Sequence, residues 1–374
     1  MILFLTIVLV LYTATLLWIW VGQWKLPRTH KLSITPKTGF TIIVPYRNES
    51  QNLPGLLQSL LQLSYPSTLF EVYFVNDASE DDSTAIITHY MKEAHFRYSI
   101  LENQRFSGAP KKDAILHAVK QGNFPWMVTT DADCTVPRAW LEWYDQIIQS
   151  KSSKMVCGPV WIDAGERFLE QFQLWDVLAL QAATFSGFGW RRPFLCNGAN
   201  LAFKASAFFE VNGYEGNNNL ASGDDVFLLE KIKRLYPNEI RFVKNPMASV
   251  QTKPQNSLKK VLAQRIRWAS KTSKIHDPLS KMIGSVVFLT NMAFILAFVS
   301  CFIYPMQIAY FALFLLLKLC VDFVLLATMA SFFRRSVVSL SIWLSHLSYP
   351  FMVVWVFVNS WKGSYEWKGR TFKK

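Results

Sequence analysis

The apolar residues of this chain are concentrated near its two ends, and this distribution limits the possible folds more than any other feature of the sequence. Residues 1–21 contain no charged side chain. At about 1.5 Å per residue, a helix of this length crosses a hydrocarbon core of about 30 Å. No basic segment precedes the run and no small-residue cleavage site follows it. We therefore predict a transmembrane helix at residues 1–22 and not a signal peptide.

Three further apolar stretches, at about residues 282–304, 307–330 and 337–361, are also long enough to span a membrane. In the second stretch, Lys318 and Asp322 are four residues apart, so they share a helix face and are expected to neutralise each other. An ion pathway is the alternative. The predicted organisation after the first helix is a globular domain with interfacial helices at 38–275, a membrane region at 281–361 and a basic tail at 362–374.

The basic residues that flank the apolar runs carry information on orientation. Lys25, Arg28 and Lys31 follow the first run, so the bias of basic residues toward the cytoplasm predicts that the globular domain faces the cytosol. Four complete crossings would then leave the basic tail outside the cell, against the same bias. We therefore expect one C-terminal stretch to be re-entrant or interfacial.

The net charge of +13 would also fit a nucleic-acid-binding protein, but the sequence contains no nucleic-acid-binding motif. In a membrane-anchored chain, anionic lipid head groups or phosphorylated substrates are the simpler partners for this charge. The five cysteines are odd in number and lack the close paired spacing of zinc sites. This pattern indicates reduced thiols, to which we assign no role.

From Phe40 onward, short β-rich runs alternate with helical patterns. This alternation indicates an α/β fold with a mostly parallel sheet covered by helices on both faces. Ligands bind beyond the carboxyl ends of the strands in such sheets. Polar residues follow the first, second and fourth β-rich runs, so we predict that one site gathers them. They are Tyr46, Arg47, Glu49, Asp77, Asp131 and Asp133.

Asp131 and Asp133 form an Asp-X-Asp triplet at the end of the fourth run. Two carboxylates so close together are costly unless a cation neutralises them, and Mg²⁺ or Mn²⁺ prefers such oxygen ligands. A bound divalent cation would bridge to a diphosphate and offset the charge that develops on a nucleotide leaving group. A solvated acidic turn is the alternative interpretation.

A helix is predicted to begin at Asp224, because Ser222 or Gly223 can cap it and two carboxylates favour the positive end of its dipole. The second carboxylate, Asp225, is our candidate for a general base that deprotonates an acceptor hydroxyl. A pair of helix-capping residues without a catalytic role is the alternative.

The segment QRIRW lies within a predicted amphipathic helix at 258–274, and Gln264, Arg267 and Trp268 share one face of it. Arg267 is a candidate ligand for a diphosphate, and Trp268 offers an aromatic wall to a sugar or an acceptor. An interfacial helix whose arginines meet lipid phosphates is the alternative. Lys112 begins another predicted helix and is a further candidate for the diphosphate, or an ordinary exposed lysine.

Six segments occur in a fixed order between Phe40 and Ser273: TIIVPYRNE, VNDASEDDS, TTDADC, NGANLAF, SGDD and QRIRW. Together they resemble the membrane-bound family 2 glycosyltransferases with a GT-A fold, the group that includes cellulose, hyaluronan and ceramide glycosyltransferases. SGDD departs from the Thr-Glu-Asp or Glu-Asp form common in polysaccharide synthases, which leaves open whether Asp225 or Asp224 is the base; we favour Asp225. The tail segment WKGR resembles a C-terminal element of smaller lipid-directed members.

This resemblance implies a role for each residue that matches a family motif. Those that would bind the donor are Pro45, Tyr46 and Glu49 around the nucleotide, Asp77 at the base, Lys112, Asp131 and Asp133. Asp133, with Asp131, would hold the divalent metal, Mg²⁺ or Mn²⁺. Those that would bind donor and acceptor together are Gln264, Arg267 and Trp268. The sugar and acceptor pocket would contain Asn197, Gly198, Asn200 and Asp224, with Asp225 as the catalytic base.

The resemblance therefore implies an inverting transferase that moves a sugar from a nucleotide-sugar, with a UDP-sugar preferred, to a membrane lipid or other amphiphilic acceptor. A processive polysaccharide synthase is the alternative, although three C-terminal stretches with few polar residues are poorly suited to a polymer channel. A non-catalytic membrane subunit that retains the fold is an alternative of another class. A dinucleotide-dependent oxidoreductase is disfavoured, because PYRNE and not a glycine-rich turn follows the first β-rich run.

Overall fold

The computed structural model describes residues 2–271, 274–335, 340–361, 364–368 and 370–373. The chain divides into two compact units, each assembled from segments that are distant in sequence. The helical unit consists of residues 1–26, 164–194 and 254–365. The sheet unit consists of residues 27–163, 195–253 and 366–374. The sheet unit thus includes the end of the basic tail, and the helical unit includes residues 164–194, which we had predicted within the contiguous domain 38–275.

Helices and strands alternate through the sheet unit, whereas the helical unit is almost entirely helical. The helices are α1 (Ile2–Lys25), α2 (Leu53–Leu61), α3 (Ser83–Tyr90), α4 (Pro110–Gln121), α5 (Trp140–Ser150), α6 (Phe168–Gly189), α7 (Ala205–Glu210), α8 (Val226–Leu235), α9 (Leu258–Ser270), α10 (Pro278–Ile303), α11 (Ile308–Phe332) and α12 (Leu340–Ser360). The strands are β1 (Phe40–Tyr46), β2 (Phe70–Asn76), β3 (Arg97–Glu102), β4 (Trp126–Thr129), β5 (Cys134–Thr135), β6 (Met155–Cys157), β7 (Val160–Ile162), β8 (Leu201–Lys204), β9 (Ile240–Phe242), β10 (Val250–Thr252), β11 (Ser364–Trp367) and β12 (Arg370–Lys373).

Seven strands form the main sheet in the order β3-β2-β1-β4-β8-β6-β9. Strands β1 to β4 are parallel to one another, β8 is antiparallel to β4 and β6, and β9 is parallel to β6. This confirms the predicted α/β fold with a mostly parallel sheet. In register, β1 pairs with β2 from Phe40 opposite Phe70 to Tyr46 opposite Asn76, so the polar segments that follow these two strands are neighbours at one edge.

The core of the sheet unit explains why the first β-rich runs are almost continuously apolar. All seven residues of β2 are buried, as are six of the seven in β1, which is typical of strands covered on both faces. The leucines of α2 and the aromatic residues Trp140 and Tyr144 of α5 belong to the same buried cluster. Each such apolar side chain contributes about 1.5–3 kcal/mol when fully buried, so the central strands are firmly held.

Four helices of the helical unit, α1, α10, α11 and α12, are by length and composition long and apolar enough to cross a membrane, as the four apolar stretches predicted. Lys318 and Asp322 pair as their spacing predicted, with 2.6 Å between Nζ and Oδ2. The Tyr12 hydroxyl donates a hydrogen bond of 2.5 Å to Oδ1 of the same aspartate. All three side chains are buried, so the pair is enclosed among helices instead of facing lipid.

Candidate active site

Asp77 lies at the carboxyl end of β2 and is the centre of a basic cluster. Its Oδ1 accepts hydrogen bonds from Arg105 Nε at 2.7 Å and from Asn103 Nδ2 at 2.9 Å. Its Oδ2 accepts one from Arg370 Nη1 at 2.6 Å. Arg47 donates to the backbone carbonyl of Asp77 at 2.9 Å. A carboxylate has about four acceptor sites, so the side chain of Asp77 retains capacity for one further donor.

The backbone around this cluster adopts an uncommon conformation. Ala78 has a φ of 54° and Asn48 a φ of 50°, in the left-handed region that non-glycine residues rarely occupy. The Ala78 carbonyl accepts a hydrogen bond from Arg47, and Asn48 Oδ1 accepts one from the backbone N–H of Glu80 at 2.8 Å. These contacts hold the segments after β1 and β2 together at the edge of the sheet.

Asp131 and Asp133 follow β4 at the same edge. Lys111 Nζ lies 2.6 Å from Oδ1 of Asp131 and 2.9 Å from Oδ2 of Asp224, so one ammonium joins two distant acidic segments. Burial raises the pKa of Asp133 to about 6, and the negative charges of Asp131 and Glu49 act in the same direction. The site therefore holds more carboxylate charge than its own lysines offset.

This arrangement suits a hard divalent cation. Ligand atoms of Asp131, Asp133 and Cys134 lie within 4.8 Å of one another. Burial, together with Asp133 and Asp131, raises the pKa of the Cys134 thiol well above its usual range, so this cysteine is a neutral thiol. Because Mg²⁺ and Mn²⁺ prefer oxygen ligands, the two carboxylates fit a metal and the cysteine does not add to them.

The SGDD segment enters the site through a glycine turn. Gly223 has a φ of 85°, a conformation that favours glycine. The helix that we predicted from Asp224 begins instead at Val226, with Asp225 as its N-cap. The prediction was two residues early because the Asp225 side chain itself accepts the hydrogen bond of the Val226 N–H, at 2.7 Å.

Asp225 also meets the NGAN segment, where Gly198 N–H lies 3.3 Å from Oδ2 of Asp225. A Cβ atom at position 198 would lie 2.8 Å from Asp224 Oδ2, so glycine allows this close approach. Asn197 caps the following turn by accepting a hydrogen bond from the Ala199 N–H at 2.9 Å. The acidic pair, Gly198 and Lys111 thus form one group of contacts with Asp131.

Asn200 differs from the role that the resemblance implies. It is buried, and its Oδ1 accepts hydrogen bonds from Trp140 and Tyr144. Its Nδ2 donates to the carbonyls of Pro159 and Ala248. These four bonds use the whole capacity of the amide, so Asn200 fits a structural role that fixes the NGAN turn and not a contact with the transferred sugar.

Lys112 and Tyr46 are both buried, and their roles in donor binding stay predictions. Lys112 is buried, donates to the carbonyl of Asn217 at 2.7 Å and lies 4.9 Å from the ring of Phe227. The lysine that joins the carboxylates is its neighbour Lys111, because successive residues of α4 point in different directions. Tyr46 is buried with its hydroxyl 2.9 Å from Thr84, and burial raises its pKa to about 12.

Two predicted residues near the nucleotide lie on or directly after β1. Pro45 is partly buried within the strand, and Glu49 is buried just after it. The Glu49 carboxylate pairs with Lys368 of the tail and accepts a hydrogen bond from Asn52 at 2.8 Å. Sequence reasoning missed Lys111, Arg105, Lys368 and Arg370. The WKGR segment was a visible signal for the last two, but nothing in its spacing gives their partners.

Gln264, Arg267 and Trp268 lie on α9 in the helical unit, where the central contact is made by Arg265. Arg265 Nε lies 2.5 Å from Asp176 Oδ2, and its guanidinium carbon lies 4.3 Å from the Trp268 ring centre. Gln264 Oε1 accepts a hydrogen bond from Arg265 as well. Arg265 therefore organises this segment, and the donor contacts of Gln264, Arg267 and Trp268 stay predictions.

The strand order β3-β2-β1-β4 and an Asp-X-Asp triplet after β4 define the chain as a GT-A type of protein. Residues 41–206 match the family described as glycosyl transferase family 2. This match over residues 41–206 agrees with the family that the sequence motifs resemble.

Individual proteins agree with this classification. Poly-beta-1,6-N-acetyl-D-glucosamine synthase of Staphylococcus epidermidis is 30% identical over 98 residues, which are 26% of this chain and 22% of that protein. The probable glycosyltransferase YdaM of Bacillus subtilis is 23% identical over 233 residues, 61% of this chain and 54% of the relative. The chain thus spans about a fifth and about half of these two relatives.

Among solved structures, the mannosyltransferase PcManGT of Pyrobaculum calidifontis, in complex with GDP-Man and Mn²⁺, has a TM-score of 0.58 and 19% identity. The similarity covers 96% of this chain and 97% of that one. It supports the fold over most of the chain.

Proposed function

We propose that the protein is an inverting glycosyltransferase that moves a sugar from a nucleotide-sugar to a lipid or amphiphilic acceptor at the cytosolic face of a membrane. One observation carries the proposal. Carboxylates from two distant segments meet in one place, where Lys111 joins Asp131 to Asp224 and the Gly198 N–H contacts Asp225. Such convergence is what a donor diphosphate and an acceptor hydroxyl would require in one place.

Asp225 is the general base in this proposal. The acceptor hydroxyl would give its proton to the Asp225 carboxylate while its oxygen forms a bond to the anomeric carbon. The bond from that carbon to the diphosphate breaks, and its electron pair leaves with the nucleotide, which inverts the configuration. Asp224 forms an ion pair with the Lys111 ammonium, so we assign the base to Asp225, which accepts hydrogen bonds from the backbone N–H groups of Gly198 and Val226.

Lys111, and a metal held by Asp131 and Asp133, would stabilise the negative charge of the leaving group. The Lys111 ammonium lies where it can approach a diphosphate held near Asp131, and a fixed cation there stabilises the negative charge that develops as the bond breaks. Asp133 and Asp131 would hold Mg²⁺ or Mn²⁺, which when bound would supply further electrostatic stabilisation of the diphosphate.

The nucleotide is proposed to be UDP, with Asp77 accepting a hydrogen bond from the base. Support comes from the remaining acceptor capacity of Asp77, one position once Arg105, Asn103 and Arg370 are bonded. A single acceptor suits the one ring N–H of uracil better than the two adjacent donors of guanine. The mannosyltransferase with the similar fold holds a GDP-sugar, so GDP-mannose is the comparison donor.

The contacts of the tail support a proposal for the membrane topology. Lys368 and Arg370 pair with Glu49 and Asp77, so the tail and the globular domain share one side of a membrane, the cytosolic side by the positive-inside bias. The chain between them then makes an even number of crossings. Helix α12 contains Pro350 and is the least apolar of the four long helices. We infer that α10 and α11 cross and that α12 does not complete a crossing.

Single cysteines in a cysteine-free background test this topology. Met306→Cys, between α10 and α11, should react with an impermeant maleimide from outside intact cells. Arg334→Cys and Trp361→Cys should react only after permeabilisation. Labelling of Trp361→Cys from outside would show that α12 crosses completely.

Transfer itself is tested with the purified full chain in detergent, labelled UDP- and GDP-sugars, a total membrane lipid extract, and Mn²⁺ or EDTA. We expect a lipid-soluble product with one added sugar, formed from a UDP-sugar. Water-soluble polymers would instead support the alternative of a polysaccharide synthase. The similarity to a poly-N-acetylglucosamine synthase favours this alternative. No transfer or hydrolysis of any donor would contradict the proposal.

A further inference from the structure

The tail brings two cations to the sheet edge where the donor is proposed to bind. Lys368 Nζ forms an ion pair with the Glu49 carboxylate. Arg370 Nη1 lies 2.6 Å from Asp77 Oδ2, and Nη2 donates to the Asp77 carbonyl at 3.3 Å. Glu49 and Asp77 are both buried, so the tail is docked on two carboxylates of the site and not on the general surface.

The two cations lie side by side. Glu49 follows β1 and Asp77 follows β2, and these strands are paired neighbours with Tyr46 opposite Asn76. Adjacent strands are about 4.8 Å apart, so Lys368 and Arg370 occupy neighbouring positions along the edge.

The backbone conformation of Lys368 indicates that surrounding contacts hold the residue in place. Its φ is 50°, in the left-handed region where glycine or asparagine is favoured over lysine. Such conformations persist where surrounding contacts hold them and are concentrated at ligand sites. Here the strained residue is the one whose ammonium reaches Glu49.

Neither cation is enclosed. The Lys368 side chain is 26% exposed and that of Arg370 is 23% exposed. A guanidinium carries five N–H donors and an ammonium three, so each can contact an anion while it keeps its carboxylate. Ion pairs with buried carboxylates fix both groups in advance, which lowers the entropy lost on binding.

We propose that Lys368 and Arg370 are donor-binding residues that contact the phosphate oxygens of the nucleotide-sugar, so that the tail completes the donor site. This inference rests on the proposed function. A diphosphate held between the base at Asp77 and the carboxylates Asp131 and Asp133 passes the segment where both cations lie. Lysine and arginine are suited to phosphate as charged hydrogen-bond donors, arginine with a two-pronged contact.

The experiment measures equilibrium binding of labelled UDP, with Mn²⁺, to the full chain in detergent. Lys368→Ala and Arg370→Ala should each raise the Kd for UDP about 10- to 100-fold, and the KM for the donor should rise in parallel with a smaller change in kcat. Lys92→Ala and Lys151→Ala, which remove exposed lysines of the sheet unit, should change the Kd less than twofold.

Uridine, which lacks phosphate, separates phosphate contact from a change at the base site. The Kd for uridine should be similar in the wild type and both alanine variants, and an equal loss for uridine would overturn the phosphate assignment. The conservative Lys368→Arg and Arg370→Lys should recover most of the UDP affinity, and they keep the test decisive if an alanine variant does not fold.

Three outcomes are distinguishable. Unchanged UDP affinity in folded variants with a lower melting temperature would mean that the tail only supports the fold, and the inference would fail while the proposed function stands. Weakened UDP binding restricted to the tail variants supports it. A wild type that binds neither UDP nor GDP in the presence of Mn²⁺ would overturn both.

Discussion

Both units of this protein bury carboxylates, but they neutralise them in different ways. In the helical unit, Asp322 is enclosed with Lys318 and the Tyr12 hydroxyl, and Asp176 with Arg265. Each of these carboxylates has a cation within hydrogen-bonding distance inside a packed group of helices. At the sheet edge, one lysine is shared between two carboxylates.

The difference separates structural charge from functional charge. In the helical unit each pair is enclosed and neutralises its own charge, so removal of one partner would leave an uncompensated buried charge. At the sheet edge the carboxylates are not fully neutralised. Burial, together with the charges of Asp131 and Glu49, raises the pKa of Asp133 to about 6. Sites with such perturbed carboxylates are candidates for ligand binding and catalysis. The predictions below therefore expect stability effects in one unit and activity effects in the other.

The largest effect is expected from Asp225→Asn, which should lower kcat about 10²- to 10⁴-fold because the amide cannot accept the acceptor proton. The melting temperature should change little, since asparagine also serves as an N-cap. Steady-state kinetics and thermal unfolding in detergent measure the two. Wild-type turnover in Asp225→Asn, combined with a loss in Asp224→Asn, would move the base to Asp224.

In the helical unit, Asp322→Asn should lower the free energy of unfolding by about 3–5 kcal/mol, because it leaves the Lys318 charge buried without its counter-charge. The double variant Lys318→Met with Asp322→Leu should recover most of this loss. Thermal unfolding followed by size-exclusion chromatography measures both. A change in kcat of the folded fraction, with stability unaltered, would contradict the division between the two units.

Metal removal tests the carboxylates of the sheet unit. EDTA should lower turnover about 100-fold or more, since a metal supplies several kcal/mol of transition-state stabilisation. Mn²⁺ or Mg²⁺ should restore it in the wild type but not in Asp133→Asn. Asp82→Asn, at an exposed carboxylate of the same unit, is the matched control and should behave as wild type. Full activity in EDTA would exclude this role for Asp133.

The smallest effect is expected from Gly198→Ala. The added Cβ would lie 2.8 Å from Asp224 Oδ2 and 3.7 Å from Lys111 Nζ, so the carboxylate must move by a few tenths of an ångström. Misplacement of this kind should cost about 10-fold in kcat. Gly55→Ala, whose Cβ would meet only Thr135 at 3.7 Å, is the control. Equal kinetics in both variants would mean that the position of Asp224 does not limit turnover.

Much of the fold could be predicted because its signals are local. The continuous apolar run of β1 gives a buried parallel strand, and the four-residue spacing of Lys318 and Asp322 gives a shared helix face. Element ends were less accurate, since the cap of α8 depends on where the Asp225 side chain points. Among site residues, Asp131 and Asp224 lie together as expected, whereas Lys111 takes the position expected of Lys112 and Asn200 is bonded within the fold.

The sequence by itself determined the apolar ends, the order of strands and helices, and the acidic residues that follow the strands, because these depend on residue type and on periods of two or a few residues. Only the tertiary structure decided which cation meets which carboxylate. Lys111 bridges Asp131 to Asp224, and Arg370 crosses 293 positions of sequence to reach Asp77. Such pairings depend on the direction of each side chain and on how distant segments pack together, and neither produces a periodic pattern in the sequence.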